Sequence, residues 1–315
     1  MILPKFEYKR AQSIAEAIDF YTYFDGQARY LAGGTDLIPL LKLRLSTPAA
    51  IIDLKQIKEL KTLSPGDRWL AIGANVALFD LKKYPLVKEY FPALAESLDR
   101  TSCETLQMRG TIGGNILQDT RCLLYNKSLE WRTARGFCWK MGGQTCQVVP
   151  NARACFSNYG SDNAPSLLTL SAQVKLAGPG GERTVKLEKI FSGNGRKPLA
   201  LKPGEILTHI LIPLKKTKGT YEKLRVRDSM DYPLVGVAVS MKDSSTRVCV
   251  GGVGLSPRVY NLKNINENSV KDTADQAVAE AKPVMNAALS PVYRKKMVGV
   301  LFKRAIKKIQ RGGAR

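Results

Sequence analysis

The sequence predicts an α+β fold made of two α/β lobes and a C-terminal α+β lobe with a small sheet and helices. Three observations point there. Strand and helix signals alternate up to about residue 60. A short strand feeds the Gly-Gly turn Ala32-Gly33-Gly34-Thr35-Asp36, and a second such turn, Thr111-Ile112-Gly113-Gly114-Asn115, follows a helical stretch. Beyond residue 219, short apolar strands give way to two helical periods. The lobes are expected at 1–60, 61–218 and 219–315.

In order along the chain, Ser13-Ile14-Ala15-Glu16 reads as a capping box, after which Ile14, Ile18 and Tyr21 share one helical face. Ala28 to Ala32 and Ala49 to Leu54 read as strands, and Lys58 to Lys61 runs into the Ser64-Pro65-Gly66-Asp67 turn between lobes. The second lobe opens with a strand at Trp69 and a helical stretch from Leu86 to Asp99. Its closing strands are expected at Leu167 to Leu176, Arg183 to Leu187 and Leu207 to Pro213. In the third lobe, Val235 to Met241 and Arg247 to Val253 read as strands, and Ser290-Pro291 as a Ser cap with Pro in the first helical turn. Met297, Leu301, Ala305 and Ile309 then form an apolar stripe backed by Lys and Arg, the mark of a docking helix. Arg311-Gly312-Gly313-Ala314-Arg315 reads as a frayed tail. The segment 119–160 differs in kind. It holds Cys122, Cys138, Cys146 and Cys155, two of the three tryptophans and few apolar periods, so it is predicted to be loop held by metal.

A chain of 315 residues with 44% apolar content can bury a full core. No apolar run approaches the roughly 20 residues of a membrane span. The start, MILPKFEYKR, lacks a signal peptide's basic stretch followed by an apolar run. A cytoplasmic protein with no membrane partner is expected. Six cysteines are poor disulfide candidates there, and the clustered four point to metal. The 49 basic and 27 acidic residues leave +22, a field that attracts nucleic acid, acidic proteins and phosphate-rich cofactors. Without zinc-finger spacing or an RNA-binding aromatic signature, no nucleic-acid partner is predicted, and the basic run from Lys303 to Lys308 reads as a solvated face. The single histidine, His209, reads as a strand residue. No Ser/His/Asp or Cys/His constellation exists for hydrolysis, so no catalytic residue is assigned. Cys249 reads as a buried thiol, and Cys103 likewise, its nearness to the second glycine turn leaving a place beside that site open.

Each Gly-Gly pair lets the backbone enter positive φ and lets a ligand approach closely. Successive N–H groups can then face one anion, with flanking Thr and Asn as further donors. Two such loops match the two ends of a dinucleotide pyrophosphate, although either alone also reads as a plain turn. The four cysteines are separated by 15, 7 and 8 residues. Thiolates bind iron–sulfur clusters and zinc alike, and the close cysteine pairs of most structural zinc sites are absent. On spacing, zinc, cluster and unrelated thiols all stay open.

Four stretches carry a resemblance: AGGTDLIPLLKLR from Ala32, RGTIGGNI from Arg109, SDNAP from Ser161 and YEKLRVRDSMDYP from Tyr221. With them the chain resembles the FAD-binding subunit of the xanthine dehydrogenase family of molybdenum hydroxylases. About forty residues, including all four clustered cysteines, separate the second glycine turn from the SD element. In this the chain is similar, over essentially its whole length, to the beta subunits of the 4-hydroxybenzoyl-CoA reductase branch. The resemblance implies an FAD-binding PCMH-type (vanillyl-alcohol-oxidase-like) fold. It places Leu31, Ala32, Gly33, Gly34, Thr35, Asp36, Leu37, Thr111, Ile112, Gly113, Gly114 and Asn115 at FAD, with Asp162 as a polar flavin contact. It adds Leu207 and Lys223, whose plain readings are core and an exposed strand position. It also implies a [4Fe-4S] cluster on Cys122, Cys138, Cys146 and Cys155, with Trp131, Phe137, Trp139 and Phe156 among the ligands as packing or as a water screen.

The function so implied is electron transfer. Reduced ferredoxin would feed the [4Fe-4S] cluster and FAD, and then a [2Fe-2S] subunit and a molybdenum-cofactor subunit, in a dimer of heterotrimers. The substrate, 4-hydroxybenzoyl-CoA, would lose its phenolic hydroxyl on the molybdenum subunit. Alternatives are the flavin subunit of a related hydroxylase with another aromatic or CoA substrate, a self-contained flavin oxidase, and a basic zinc-containing nucleic-acid-binding protein.

Overall fold

Short apolar stretches separated by turn residues become three sheets in the computed structural model, which describes residues 2–311. The expected tail lies, beyond Arg311, outside the described residues. In the first sheet, β1 (Glu7–Arg10), β2 (Ala28–Leu31) and β3 (Ala50–Asp53) are linked by α1 (Ile14–Tyr23) and α2 (Leu37–Lys42). Both β1 and β2 pair parallel to the central β3, which helical crossovers permit. The capping box forms with a shift: Ser13 Oγ accepts the Glu16 N–H at 3.1 Å, whereas the Glu16 carboxylate reaches one residue further back, to the Gln12 N–H at 2.6 Å.

The second sheet begins with β4 (Leu63–Pro65) and β5 (Trp69–Gly73). Four short helices follow: α3 (Leu78–Lys83), α4 (Pro85–Tyr90), α5 (Pro92–Asp99) and α6 (Glu104–Gln107). The single helix expected over 86–99 is thus two, because Pro92 has no N–H to continue α4 and instead opens α5. Next come α7 (Ile112–Ile116), α8 (Leu129–Arg135), α9 (Asn163–Thr169), β6 (Gln173–Gly178), β7 (Gly181–Lys186) and β8 (Ile206–Pro213). The strand order is β4-β5-β8-β6-β7, antiparallel at every pairing. The strand expected over 167–176 is corrected: α9 occupies its first part, and β6 starts at Gln173. Every residue of α9 is buried, so its sequence shows no helical period.

The third sheet is an antiparallel meander of β9 (Lys218–Leu224), β10 (Val235–Lys242), β11 (Ser245–Gly251) and β12 (Arg258–Leu262), with α10 (Glu267–Glu280) and α11 (Pro291–Arg311) against it. Ser290 Oγ accepts the Tyr293 N–H at 3.2 Å, as its capping role requires. Leu301, Ala305 and Ile309 of α11 pack on the sheet while Lys303, Arg304, Lys307 and Lys308 face solvent. Cys249 is fully buried in β11, where burial pushes its thiol up. Among the described residues no helix is long and apolar enough to cross a membrane.

Candidate flavin cleft and cysteine cavity

The two glycine turns touch each other. A Cβ on Gly33 would fall 1.8 Å from the Arg109 carbonyl oxygen, so the first loop packs backbone to backbone on the approach to the second. Gly34, at φ +80°, turns the chain into α2. The N–H groups of Gly33, Gly34, Thr35 and Asp36 form no hydrogen bond to another described residue. They remain a row of donors at the start of a helix, the arrangement that favours an anion.

The second loop corrects the expectation that both loops would offer such a row. Its N–H groups are already used: Ile112 donates to Val76 O at 3.0 Å, Gly113 to Ala74 O at 2.9 Å, Gly114 to Thr111 Oγ1 at 3.1 Å and Asn115 to Thr111 O at 2.9 Å. Gly113 is glycine because a Cβ would meet Ala74 at 2.7 Å. At Gly114 an added Cβ would meet only Thr111 Oγ1, at 3.0 Å. What this loop presents outward is space.

Between the loops lies a main cleft of about 720 Å³, lined by Ala32, Gly33, Gly34, Thr35, Asp36, Leu37, Thr111, Gly113, Gly114 and Leu207. Arg29, Arg196 and Lys197 add positive charge to its wall. A side cleft of about 230 Å³ is lined by Asn115 and Asp162, and shares Thr35, Asp36, Thr111 and Gln118 with the main one. Gln118 is 4% exposed; its Nε2 donates to Asn115 O at 2.7 Å, and its Oε1 has no partner among the described residues. Free donors, a bare Cα, the cations Arg29, Arg196 and Lys197 and an orphaned acceptor together fit a phosphate-bearing dinucleotide spanning both clefts. The combined space suits a cofactor, whose pockets run to roughly 300–1,000 Å³.

Other assigned positions fall differently. Leu31 packs with Leu41 and Ile51, and Ile112 lies in the central core. Leu207 joins that core and reaches the main cleft too. Lys223 is no exposed strand residue: its Nζ lies 2.9 Å from Asp162 Oδ2 and also donates to Arg100 O and Asp231 O. Tyr221 donates to Asp162 Oδ1 at 2.7 Å. Lys223 therefore bears on the side cleft through Asp162. Burial pushes the Asp162 carboxyl up and the Lys223 ammonium down, and each partner's charge opposes the other's shift. Asn115 Oδ1 accepts from Ser161 Oγ at 2.7 Å and from Asn163 Nδ2 at 3.0 Å, tying the SD element to the second loop. Cys103 lines neither cleft.

The segment 119–160 forms only α8 and a short turn of 3₁₀ helix at Trp139–Met141. Arg121 and Asn158 exchange both backbone hydrogen bonds, at 2.7 and 2.8 Å, closing it at its base. Arg132, 5% exposed, donates to Leu43 O and Arg44 O and so fastens α8 to the first lobe. Within this frame Cys122, Cys138, Cys146 and Cys155 line one cavity, with Trp139 and Phe156 in its wall. Burial pushes the Cys122 thiol up, and the neighbouring Cys138 and Cys155 add to the shift. Among the described residues no three His, Cys, Asp or Glu side chains gather closely enough to hold one metal ion. Tyr125 and Lys140 line both this cavity and the main cleft, so the two spaces share a wall. Arg29, Gln118, Tyr125, Lys140, Arg196 and Lys197 were invisible as site residues in the sequence, since no motif or spacing marks them.

Comparison with known proteins then decides the family. Residues 4–215 match the family described as the FAD binding domain in molybdopterin dehydrogenase. The chain belongs to that family. It is 28% identical to the carbon monoxide dehydrogenase medium chain of Hydrogenophaga pseudoflava, over 97% of both chains. It is 32% identical to the aldehyde oxidoreductase FAD-binding subunit PaoB of Escherichia coli (strain K12), over 80% of this chain and 82% of that one. A solved carbon monoxide dehydrogenase structure from Hydrogenophaga pseudoflava superposes with a TM-score of 0.78 at 27% identity, covering 98% of each chain. The FAD-binding α+β fold expected from the sequence is therefore the fold present, and the chain is a flavoprotein of an oxidoreductase family. The reading as a zinc-containing nucleic-acid binder finds no support in these matches.

Proposed function

We propose that this chain is the electron-transfer subunit of a molybdenum enzyme, carrying FAD in the paired clefts and a [4Fe-4S] cluster on Cys122, Cys138, Cys146 and Cys155. The observation that carries the reading is the convergence of these four cysteines on one cavity that shares Tyr125 and Lys140 with the main cleft. A zinc ion holds sulfur at about 2.3 Å and would draw four thiolates tightly together, whereas a cluster spreads them over several irons. What favours the cluster over zinc is the resemblance to flavin subunits that carry this cysteine-bearing insertion.

FAD, when bound, supplies exchange between one-electron and two-electron chemistry. The chain's own part is to hold and orient it. The N–H row of residues 33–36 and the charges of Arg29, Arg196 and Lys197 would take the pyrophosphate, Gln118 Oε1 would accept from the ligand where the clefts meet, and Asp162, fixed by Lys223 and Tyr221, would bound the far end.

The partners in this reading are a molybdenum-cofactor subunit and a [2Fe-2S] subunit, assembled as a dimer of heterotrimers. Reduced ferredoxin is the donor, drawn by the +22 charge. The substrate is 4-hydroxybenzoyl-CoA, bound on the molybdenum subunit and reductively dehydroxylated there. Anaerobically purified complex is expected to show flavin bands on a broad iron–sulfur background. Replacing any of the four cysteines by Ser should lower iron and acid-labile sulfide together, while Cys103→Ser and Cys249→Ser should not. Stoichiometric zinc without sulfide would sink the cluster assignment. Turnover of another aromatic or CoA substrate, with 4-hydroxybenzoyl-CoA inert, would move the enzyme to a related hydroxylase.

A further inference from the structure

Between the cysteine cavity and the main cleft stands an ion pair whose lysine is buried and whose carboxylate, on Asp119, is 34% exposed. The Lys140 side chain is 3% exposed; its Nζ lies 2.6 Å from Asp119 Oδ1, and it donates to Thr120 Oγ1 at 2.6 Å and Gly195 O at 2.9 Å. The pair is oriented. Lys140 lines both spaces, whereas Asp119 lines only the main cleft. Gly195 fixes the geometry from the other side, since a Cβ there would strike Cys155 O at 2.4 Å and Cys155 Sγ at 3.0 Å. Ser157 Oγ, within hydrogen-bond distance of Thr120 Oγ1 at 2.6 Å and Gly195 O at 3.0 Å, ties Cys155 into the same network through a 3.2 Å contact with Cys155 Sγ.

We propose that Lys140 and Asp119 form a fixed dipole that sets the difference in reduction potential between the two cofactor sites, its positive end raising the potential at the cysteines and its negative end lowering that of the flavin. Uptake of one electron makes the cysteine-bound centre one charge more negative, and a nearby ammonium in a poorly solvated wall stabilises that state. The carboxylate on the flavin side has the opposite effect on negative charge developing there. Both are positioning residues, acting on potentials through charge and through the 119–120 and 195 backbone they hold. The inference rests on the flavin and cluster reading above.

The test is a redox titration of the intact complex, following the cluster by electron paramagnetic resonance and the flavin by absorbance. Lys140→Met should lower the cluster midpoint potential. Asp119→Asn leaves the ammonium uncompensated and should raise both potentials. A purely structural role would loosen both variants in the same way and give no opposed shifts at the cluster. Cluster potentials that stay at the wild-type value in both variants, or that move in the same direction, overturn the proposal while leaving the cluster assignment standing. Wild-type complex without iron and sulfide overturns both together. Thermal unfolding and iron content, measured alongside, exclude misfolded protein as the source of a shift.

Discussion

The loops at 32–36 and 111–115 carry the same Gly-Gly pair, yet one offers hydrogen-bond donors and the other offers room. In the first, four consecutive N–H groups have no acceptor among the described residues, and Gly33 is pinned against the Arg109 carbonyl. In the second, every N–H from Ile112 to Asn115 is bonded inside the protein, and Gly114 keeps one face bare. Glycine therefore serves three ends in these ten residues: close packing of backbones at Gly33 and Gly113, positive φ at Gly34, and open space at Gly114. A motif reading treats all four alike.

The strongest way to break this contrast is Gly33→Ala. Its methyl would sit 1.8 Å from Arg109 O, where neither backbone can yield, so the cost should exceed about 3 kcal/mol and the variant should fail to accumulate as folded flavoprotein. A soluble, FAD-replete Gly33→Ala protein would mean that the two loops are not locked together. Gly114→Val should instead fold normally, with an unfolding temperature near wild type, and lose FAD at least tenfold, about 1.4 kcal/mol, because its side chain enters the cleft. Isothermal titration with FAD reads the difference directly.

Thr111→Val sharpens the comparison. It removes the acceptor for the Gly114 N–H and the cap of α7, and should cost about 1 kcal/mol in stability with a smaller loss of FAD affinity than Gly114→Val. Complete loss of FAD from a well-folded Thr111→Val protein would make the hydroxyl a ligand contact and return the second loop to the donor class. The smallest effect is expected on the wall facing the first loop, where Glu205 pairs with Arg183 at 2.6 and 2.8 Å. Hydrogen bonding from Arg183 holds the Glu205 carboxyl below its ordinary value of 4.5. Its contribution is thus present above that pH and fades as pH falls through the lowered value. Glu205→Gln should cost about 1 kcal/mol at pH 7 and progressively less as the pH falls below 4.5, as followed by thermal unfolding.

Much of this was legible in the chain. Ser13 and Glu16 marked the start of α1, Ser290 and Pro291 that of α11, and the alternating runs marked β5, β8, β10 and β11, because each signal is local. The helix α9 was not, since a segment buried on all sides shows neither helical nor strand period. At the site, the glycines announced two loops but not their division of labour, which depends on acceptors as distant as Ala74 and Val76. Asp162 could be picked from its neighbours in sequence, but its anchors, Tyr221 and Lys223, come from the third sheet. Likewise the spacing of the four cysteines left their partnership open, and only the folded segment gathers them at one cavity.

The paired hydrogen bonds between Arg121 and Asn158 have a consequence for how such a chain can change over generations. A segment that departs and returns across a single antiparallel bridge leaves its host almost the same end-to-end distance whether it is long or absent. Residues 122–157 can therefore be gained or shed in one genetic step without re-threading the sheets on either side. What has to co-evolve includes the carbonyls of Leu43 and Arg44 that receive Arg132, the Asp119, Thr120 and Gly195 oxygens that meet Lys140 and Ser157, and Asn286, whose Nδ2 reaches Phe156 O at 2.5 Å and whose backbone carbonyl receives the Leu123 N–H. The cysteine-bearing segment is thus a cassette that brings with it Tyr125 and Lys140, its own share of the wall of the main cleft.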